Sequence, residues 1–284
     1  MQVGKLKHAD GSARVGVVQG EKVWLAPPAT TISNVLFADD PMKAAQGIVG
    51  SGRESLPIDA AQWSAPIDGQ EVWAAGVTYV RSKQARMDES PAAASVYDRV
   101  YSAERPELFF KATADRVVGP NEAVRVRSDS QWTVPEPEIA LVLSPVMKIV
   151  GYTIGNDMSA RDIEGENPLY LPQAKIYRGC CALGPVIALG NALPSATDIS
   201  ITLTISRRGK LMFQGDTTFA AMKRTPDELV RWLGRENDFP GGAILLTGTG
   251  IVPPDDFSLE GGDQVAIEVA GVGRLSNPVV KSRS

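Results

Sequence analysis

Two glutamates separated by one residue, Glu136 and Glu138, stand directly before the apolar segment 139–143. In an extended chain, residues i and i+2 point to the same face, about 6.5 to 7 Å apart at Cα, so both carboxylates can reach one ion. Two acids beside a core strand repel each other and lose hydration, and a hard divalent cation offsets both effects. The pattern therefore predicts two metal ligands, with a solvated strand end as the alternative.

A third carboxylate, Asp157, follows a second apolar segment, residues 148–154, and precedes the polar residues 158–162, which we interpret as a turn. An acid at the end of a strand beside the glutamates could supply a third oxygen ligand. Three carboxylates with open positions for water or substrate are the set expected for Mg²⁺ or Mn²⁺, with Ca²⁺ as a substitute. The lack of histidine and cysteine among them argues against zinc. An Asx turn is the alternative interpretation of Asp157.

The stretch after this aspartate, residues 166–177, is rich in prolines and amides, which break regular structure. Its one cation, Lys175, is therefore a candidate active-site lysine, and a solvated surface lysine is the alternative. Further along, Thr249 lies in the glycine turn 248–250 and offers a hydroxyl and backbone amides to a bound ligand.

A charged, alanine-rich segment spans residues 79–105 and separates two predicted strands. We expect a mostly helical, partly mobile excursion that acts as a lid. Four polar residues near its start, Arg81, Ser82, Lys83 and Arg86, could meet a carboxylate or the hydroxyl groups of a substrate. A solvated helix face is the alternative interpretation of this basic cluster.

The part of the chain that must position these residues alternates short apolar runs with turn residues, which is typical of a mainly β fold with some α. The 27 glycines and 20 prolines agree with many turns between short strands. We predict strands at residues 71–77, 108–112, 138–143, 149–154, 185–189, 199–205, 243–247 and 264–269.

Residues 1–65 are interpreted as a small N-terminal α+β domain, joined by a polar linker at 55–66 to a catalytic domain of residues 66–284. In the small unit we predict strands at 13–19 and 22–25 and short helices at 31–38 and 41–48. In the large unit, one helix is predicted to begin at Thr225, with Pro226 at its first position and Glu228 at its third, and to end at Gly234.

The bulk composition excludes several classes of protein. With 284 residues and 43% hydrophobic content the chain can bury a large core, and a formal charge of −4 leaves no basic field for nucleic acid. Because there is no stretch of about 18 apolar residues and no signal-like start, we expect no membrane contact and a cytoplasmic location. The adjacent Cys180 and Cys181 fit neither a disulfide framework nor a Cys-x-x-Cys site, so we expect them to be reduced.

Several short motifs follow one another in a fixed order along residues 70–280. They are Glu136-x-Glu138, Gly151-Tyr152-Thr153, Asp157-Met158-Ser159-Ala160-Arg161-Asp162, Gly184-Pro185, Thr247-Gly248-Thr249-Gly250 and Gly262-Asp263. This ordered set resembles the signature of the fumarylacetoacetate hydrolase superfamily. The resemblance implies a mixed β roll in which the two glutamates and the aspartate bind the metal.

The short gap between Glu138 and Asp157, together with residues 166–175, is similar to one branch of that superfamily, the 2-keto-3-deoxy-D-arabinonate and xylonate-pathway dehydratases. The family's hydrolases use a histidine paired with a glutamate to activate water. This chain has a single histidine, His8, in a segment that looks like an exposed hairpin turn. The resemblance therefore favours a lyase over a hydrolase.

By this resemblance we expect dehydration of a 2-keto-3-deoxy-pentonate to 2-ketoglutarate semialdehyde, with the metal as Lewis acid at the keto acid. Lys175 and Glu107 are the predicted proton carriers; Glu107 lies in the segment 105–111, which also matches the dehydratase branch. A lysine beside a dication is driven towards its neutral form, as a base requires. The sequence leaves open which of the two residues is the base. We predict that Arg81, Ser82, Arg86 and Thr249 bind the substrate.

Three other functions remain open. The same metal site could serve cleavage of a C–C bond in an acylpyruvate-like diketo acid, or decarboxylation of oxaloacetate. A β-rich binding module with a structural ion is the non-catalytic alternative, but it requires a closed, fully protein-ligated site. In either catalytic case the expected partner is a small 2-keto acid, and we expect a homo-oligomer, a dimer or a tetramer.

Overall fold

The computed structural model describes residues 1–7, 12–52, 54–89, 94–190 and 199–281. Strands dominate these ranges, which confirms the predicted mainly β class. They are β1 (Gln2–Lys7), β2 (Ala13–Gln19), β3 (Lys22–Leu25), β4 (Ser55–Pro57), β5 (Trp63–Ser64), β6 (Glu71–Gly76), β7 (Glu107–Ala112), β8 (Val117–Val118), β9 (Val124–Val126), β10 (Thr133–Leu143), β11 (Ile149–Ala160), β12 (Cys181–Leu189), β13 (Ser200–Arg207), β14 (Lys210–Thr218), β15 (Ala243–Leu246), β16 (Asp263–Val269) and β17 (Gly273–Lys281).

The α-helices of the described residues are short and lie between the strands. They are α1 (Ile32–Leu36), α2 (Pro41–Gly50), α3 (Val80–Glu89), α4 (Ala94–Ser102), α5 (Arg161–Glu166), α6 (Leu171–Lys175) and α7 (Pro226–Leu233). None of them is both long and apolar enough to cross a bilayer.

The larger sheet has the strand order β4-β3-β2-β1-β12-β11-β10-β15-β6-β7, with β5 paired to β1 and β8 to β12. Its neighbours on this path are antiparallel except β15 and β6. The first strand of the chain, β1, pairs directly with β12, so the strands of residues 1–57 extend the same sheet as the later ones. The division of the chain into two domains near residue 65 stays a prediction.

The smaller sheet, in the order β14-β13-β16-β17-β9, packs on one face of the larger one. Leu203 of β13 and Ile267 of β16 share a core with Leu141 of β10. The neighbouring residue Val142 joins a second core that contains Leu36 of α1. Because successive residues of a strand point to opposite faces, β10 is buried on both sides, which explains its continuous apolar sequence.

The structure corrects the predicted ends of the two metal-bearing strands. The predicted strand 138–143 begins five residues earlier, at Thr133, so Glu136 lies inside β10. Its flanking prolines, Pro135 and Pro137, are tolerated because β15 pairs with β10 only from Ala140 onward, so a missing N–H can face the unpaired side. The prediction of a turn at 158–162 is wrong, since β11 continues to Ala160 and α5 follows directly.

Most other predicted elements are confirmed within a few residues, while β1, β4, β5, β8, β9, β14 and β17 were not predicted. The last two lack a clear apolar alternation: β14 is an edge strand with mostly exposed or half-exposed residues, and β17 contains Pro278. Helix α7 has the predicted cap, with the Thr225 side chain accepting from the Glu228 amide and Gly234 at its end. His8 lies outside the described residues, so its turn stays a prediction.

Candidate metal and substrate site

Three buried carboxylates meet where β10 and β11 run side by side. Glu136 is directly opposite Asp157 in the antiparallel register, and Glu138 is two residues further along the same face, opposite Gly155. One side-chain oxygen from each of the three acids lies within 4.8 Å of the other two, and each acid is at most 6% exposed. An arrangement of this size and composition can hold one hard divalent cation.

Lys175, at the end of α6, reaches into the same place. Its Nζ lies 3.0 Å from Glu136 Oε2 and 3.1 Å from Asp157 Oδ2, and it also donates to Ser159 Oγ at 2.5 Å. The side chain is fully buried. Burial by itself lowers the pKa of Lys175, but the charges of Asp157 and Glu136 outweigh burial and raise it. A cation bound to those carboxylates would oppose that effect.

Two further cations complete the contacts of the acids. Lys111 of β7 pairs with Asp157 Oδ1 at 2.5 Å and donates to the carbonyl oxygens of Met158 and Lys175, so it fixes both a metal-ligand candidate and the end of α6. Arg161, the first residue of α5, donates from Nη2 to Glu136 Oε1 at 2.8 Å. Glu136 and Asp157 are therefore each held by two cations before any ligand arrives.

Glu138 has a different environment from its neighbour. It accepts a hydrogen bond from the backbone amide of Gly248 at 2.5 Å, and Gly248 has φ +90 in a position where a Cβ would collide with Thr78 Oγ1. Only glycine can present its amide there without strain. The glycine turn thus serves the metal site through its backbone.

The acids also differ in pKa. Burial raises the pKa of Glu138, and the charges of Asp157 and Glu136 raise it further. Burial acts in the same direction on Glu136, but Lys175 and Arg161 outweigh it and hold the pKa of Glu136 below its usual range. A divalent cation would remove the repulsion that keeps a proton on Glu138, so the donor set fits such an ion.

Glu107, the first residue of β7, lies opposite Gly76 of β6. Its Oε2 occupies the space that a Cβ at Gly76 would fill, and this oxygen is buried without a hydrogen-bond partner among the described residues. Burial raises the pKa of Glu107, and Arg86, Glu164 and Lys175 are near enough to influence it. Its carboxyl group therefore holds a proton more readily than that of an exposed glutamate.

The predicted substrate-binding residues separate into two groups. Ser82, Arg86 and Thr249 line a narrow cavity beside Glu136 and Lys175. The Ser82 and Thr249 hydroxyls also bond to nearby backbone groups, those of residues 79 and 251. The free space is about 10 Å³, room for roughly one water molecule.

Arg81 does not line this cavity, contrary to expectation. It is exposed, whereas Ser82, Ala85 and Arg86 are buried. The helical period explains this, because residues 82, 85 and 86 share the inner face of α3, whereas residue 81 lies at the edge of that face, about 100° round the helix from residue 82.

Sequence reasoning missed three residues of the site: Lys111, Arg161 and Glu164. A signal existed for Lys111, since a lysine inside the apolar strand Glu107–Ala112 needs a buried partner. For Arg161 the signal was its place in the motif of residues 157–162, but the turn predicted over residues 158–162 hid the helix α5. No signal existed for Glu164, which the same helix carries.

A family model described as fumarylacetoacetate (FAA) hydrolase C-terminal matches residues 71–280. This chain belongs to the fumarylacetoacetate hydrolase family. It is 47% identical over 233 residues to the 2-dehydro-3-deoxy-D-arabinonate dehydratase of Saccharolobus solfataricus. The matched region covers 81% of this chain and 78% of that protein. It is 49% identical over 214 residues, 75% of this chain and 73% of the other, to a Haloferax volcanii protein named "Probable 2-keto-3-deoxyxylonate dehydratase".

Among solved structures, the chain is similar to 2-keto-3-deoxy-D-arabinonate dehydratase complexed with magnesium and 2,5-dioxopentanoate. That similarity covers 100% of both chains, with a TM-score of 0.83 and 37% sequence identity. The apo form of the same dehydratase matches with a TM-score of 0.84 and 38% identity. These likenesses confirm the dehydratase branch of the family.

Proposed function

We propose that this protein is a Mg²⁺-dependent dehydratase that converts a 2-keto-3-deoxy sugar acid, such as 2-keto-3-deoxy-D-arabinonate or its xylonate counterpart, into 2-ketoglutarate semialdehyde. The observation that carries the proposal is the buried contact of Lys175 with Glu136 and Asp157. A proton carrier therefore lies at the metal-ligand candidates in a chain whose single histidine, His8, is in the N-terminal segment. The named relatives support the same reaction.

The charges of the site suit an anionic substrate bound together with a divalent cation. Five carboxylates face four cations, so with every group ionised the site carries one net negative charge. A dication makes the site attractive to a keto-acid anion, and a proton on Glu107 adds to that attraction. The carboxylates are Glu107, Glu136, Glu138, Asp157 and Glu164, and the cations are Arg86, Lys111, Arg161 and Lys175.

Glu136, Glu138 and Asp157 would hold the ion. When bound, Mg²⁺ supplies Lewis acidity to the keto acid, which makes the protons at C3 more acidic. Mn²⁺ or Ca²⁺ could replace it on the same oxygen ligands.

Lys175 and Glu107 carry out the proton transfers in this proposal. One of them removes a proton from C3, and the other donates a proton to the C4 hydroxyl as it leaves. The raised pKa of Glu107 favours it as the donor, because burial makes this carboxyl group hold a proton more readily than an exposed glutamate. Lys175 is then the base, because a divalent cation on Glu136 and Asp157 would offset the carboxylate charges that raise the pKa of Lys175.

The remaining residues of the cavity bind and orient the substrate. Arg86 is buried, lines the cavity and suits the substrate carboxylate. Ser82 and Thr249 line the same cavity and carry hydroxyl groups. Tight walls also exclude bulk water from the proton transfers.

Purified protein with Mg²⁺ should be assayed against 2-keto-3-deoxy-D-arabinonate, acetylpyruvate and oxaloacetate. We expect turnover of the sugar acid only, with loss of water detected as formation of the semialdehyde. Cleavage of acetylpyruvate or decarboxylation of oxaloacetate at a higher kcat/KM would refute the dehydratase proposal and favour the alternatives that use the same metal site.

We also propose a cytoplasmic homo-oligomer, a dimer or a tetramer. The edge strand β14 exposes Leu211 and Met212, which are 55% and 41% accessible in the single chain. Covering such apolar groups on an unpaired edge favours association. Light scattering after size exclusion measures the mass directly, and a monomer of 30.3 kDa would contradict this expectation.

A further inference from the structure

Helix α5 turns two charged side chains towards the site. Arg161 and Glu164 are three residues apart and therefore lie on the same helix face. Arg161 contacts Glu136, a metal-ligand candidate. Glu164 is only 1% exposed, and the proposed reaction gives it no role.

The surroundings of Glu164 are cationic. Its Oε1 forms an ion pair with Arg86 Nη1, and the same oxygen lies 4.0 Å from Lys175 Nζ. Both oxygens are buried, and neither accepts a well-formed hydrogen bond in the described part of the chain. Removing a carboxylate from water in this way costs free energy unless its charge is paired or serves a function. The buried Glu164 therefore requires an explanation.

The ion pair joins the linings of two neighbouring cavities. Arg86 lines the narrow cavity that contains Glu136 and Lys175. Glu164 lines a cavity of about 260 Å³ together with Glu107 and with Leu171 of α6. The guanidinium group of Arg86 is thus paired with a carboxylate that also lines the neighbouring cavity.

We propose that Glu164 is a positioning residue that fixes the guanidinium group of Arg86 for the carboxylate of the keto acid, an inference that rests on the proposed function. A guanidinium group has five N–H donors in a rigid fork, so one edge can pair with Glu164 while others face the substrate. An arginine held in advance loses less side-chain entropy when the substrate binds. Glu164 therefore acts on substrate affinity through Arg86.

A proton carrier or a purely structural residue would behave differently. A carrier would lower kcat and change its pH profile, because proton transfer occurs in the transition state. A structural residue would lower stability without a selective effect on keto-acid binding. Loss of an interaction that is equally strong in the ground and transition states raises KM and leaves kcat unchanged.

The test uses the Mg²⁺-loaded enzyme and Glu164→Gln, with Glu166→Gln as the control, because Glu166 is an exposed acid of the same helix. We expect Glu164→Gln to raise KM about tenfold, the usual effect of losing a hydrogen bond to a charged group, with kcat within about threefold. The pH profile of kcat should not move. Glu166→Gln should match the wild type.

A double-mutant comparison tests whether the effect passes through Arg86. Once Arg86→Gln has been made, adding Glu164→Gln should change KM by less than about twofold, because the residue that Glu164 positions is gone. Additive effects, an unchanged KM in Glu164→Gln, or a fall in kcat with a shifted pH profile would each overturn the inference. Glu164→Asp keeps the charge but shortens its reach. Its KM should lie between those of the wild type and Arg86→Gln, which tests the inference even if Glu164→Gln does not fold.

Calorimetric binding of pyruvate separates this inference from the proposed function, since it needs no turnover. If the wild type does not dehydrate the sugar acid but Glu164→Gln and Arg86→Gln weaken pyruvate binding equally, the proposed function fails and the inference stands. If the wild type binds no pyruvate, or if Glu164→Gln binds it as tightly as the wild type, the inference is wrong.

Discussion

The two halves of the β10–β11 hairpin are equally buried and chemically opposite. Residues 139–143 of β10 are apolar and pack into both cores of the molecule. Residues 133–138 of the same strand are equally inaccessible, yet they carry two carboxylates that face Asp157 on β11. One continuous strand pair thus contains both core and site.

The difference shows that burial alone does not reveal what a buried residue contributes. In the apolar half, removal from water stabilises the fold by about 25 cal/mol per Å². In the charged half, desolvation opposes folding, and ion pairs with Lys111, Lys175 and Arg161 offset it. We infer that the apolar half supports stability and the charged half supports function, and each prediction below tests this division.

The largest effect is expected for Glu138→Gln. Turnover should fall by at least about 10³-fold, because a Lewis-acid ion contributes several kcal/mol and 1.36 kcal/mol is tenfold. Stability without metal should be unchanged or higher, since this carboxyl group carries a raised pKa caused by burial and by Asp157 and Glu136. Calorimetric Mg²⁺ titration and urea unfolding measure the two effects.

Alanine at the other two acids should also abolish activity and Mg²⁺ binding, but at a cost in stability. Asp157→Ala leaves Lys111 and Lys175 without their shared partner, which costs about 3 to 5 kcal/mol for a buried pair. Glu136→Ala similarly removes one buried carboxylate partner from Arg161 and one from Lys175. Full Mg²⁺ affinity in any of the three variants would refute the metal site.

The next effect concerns Lys175→Met, which keeps most of the side-chain bulk and removes the proton carrier. Turnover should fall by about 10² to 10⁴, the usual range for one acid–base group, while Mg²⁺ still binds. Borohydride with substrate should trap no adduct on the wild type, because the metal already acts as the electron sink. Wild-type turnover in the variant, or a trapped Schiff base, would contradict the proposed role.

In the apolar half, Leu141→Ala should act on stability alone. This side chain is fully buried, and its truncation is expected to cost about 2 to 5 kcal/mol in urea unfolding. At a temperature where the variant is folded, kcat should stay within about twofold of the wild type. A large loss of kcat in a folded variant would show that the two halves are not separable.

The sequence predicted the type of most strands and the three acids because both depend on local patterns. Apolar runs mark strands, and the i, i+2 spacing of Glu136 and Glu138 puts them on one face wherever the strand lies. The same reasoning failed at residues 158–162, where polar residues looked like a turn. They are buried in β11 and α5 because their partners come from distant parts of the chain, and no local pattern contains that information.

Long-range partners also explain the residues that the sequence did not reveal. Lys111 finds Asp157 through an ion pair that spans 46 positions, and Glu164 finds Arg86 across 78 positions. The sequence assigned Arg81 and Arg86 to the same group because they are neighbours in sequence, and only the phase of α3 separates them. Motifs and spacing in the sequence therefore predicted the chemistry of the site. The fold determined which of several similar residues take part in it.

A smaller effect is expected for the motion of the excursion, residues 79–105, which contributes to the cavity in the charged half. The narrow cavity is too small for a five-carbon keto acid, so its lining must move, and α3 supplies Ser82 and Arg86 to that lining. The C-terminal end of the excursion is anchored, since Arg224 donates to the carbonyls of Val100, Ala103 and Glu104. We therefore propose that motion is concentrated in α3.

Hydrogen exchange measures this motion. Amides of Val80–Glu89 should exchange several-fold more slowly with Mg²⁺ and a substrate analogue than without them, because ligand contacts at Arg86 stabilise the closed position. Amides of β10 should not change in the same experiment. Equal protection of α3 in both conditions would contradict a lid.

The smallest effect is expected for Arg81→Ala, compared with Arg86→Ala. Both substitutions remove one positive charge from α3. Any long-range effect of this charge on the approach of an anionic substrate is therefore similar in the two variants. Arg81 is exposed, and its change should alter KM by no more than about twofold. Arg86 is buried beside Glu136, and its loss should raise KM at least about tenfold. An equal rise of KM in both variants would mean that α3 rotates on closing and brings Arg81 to the substrate. In that case Arg81 would belong to the site and not to the solvated surface of this helix.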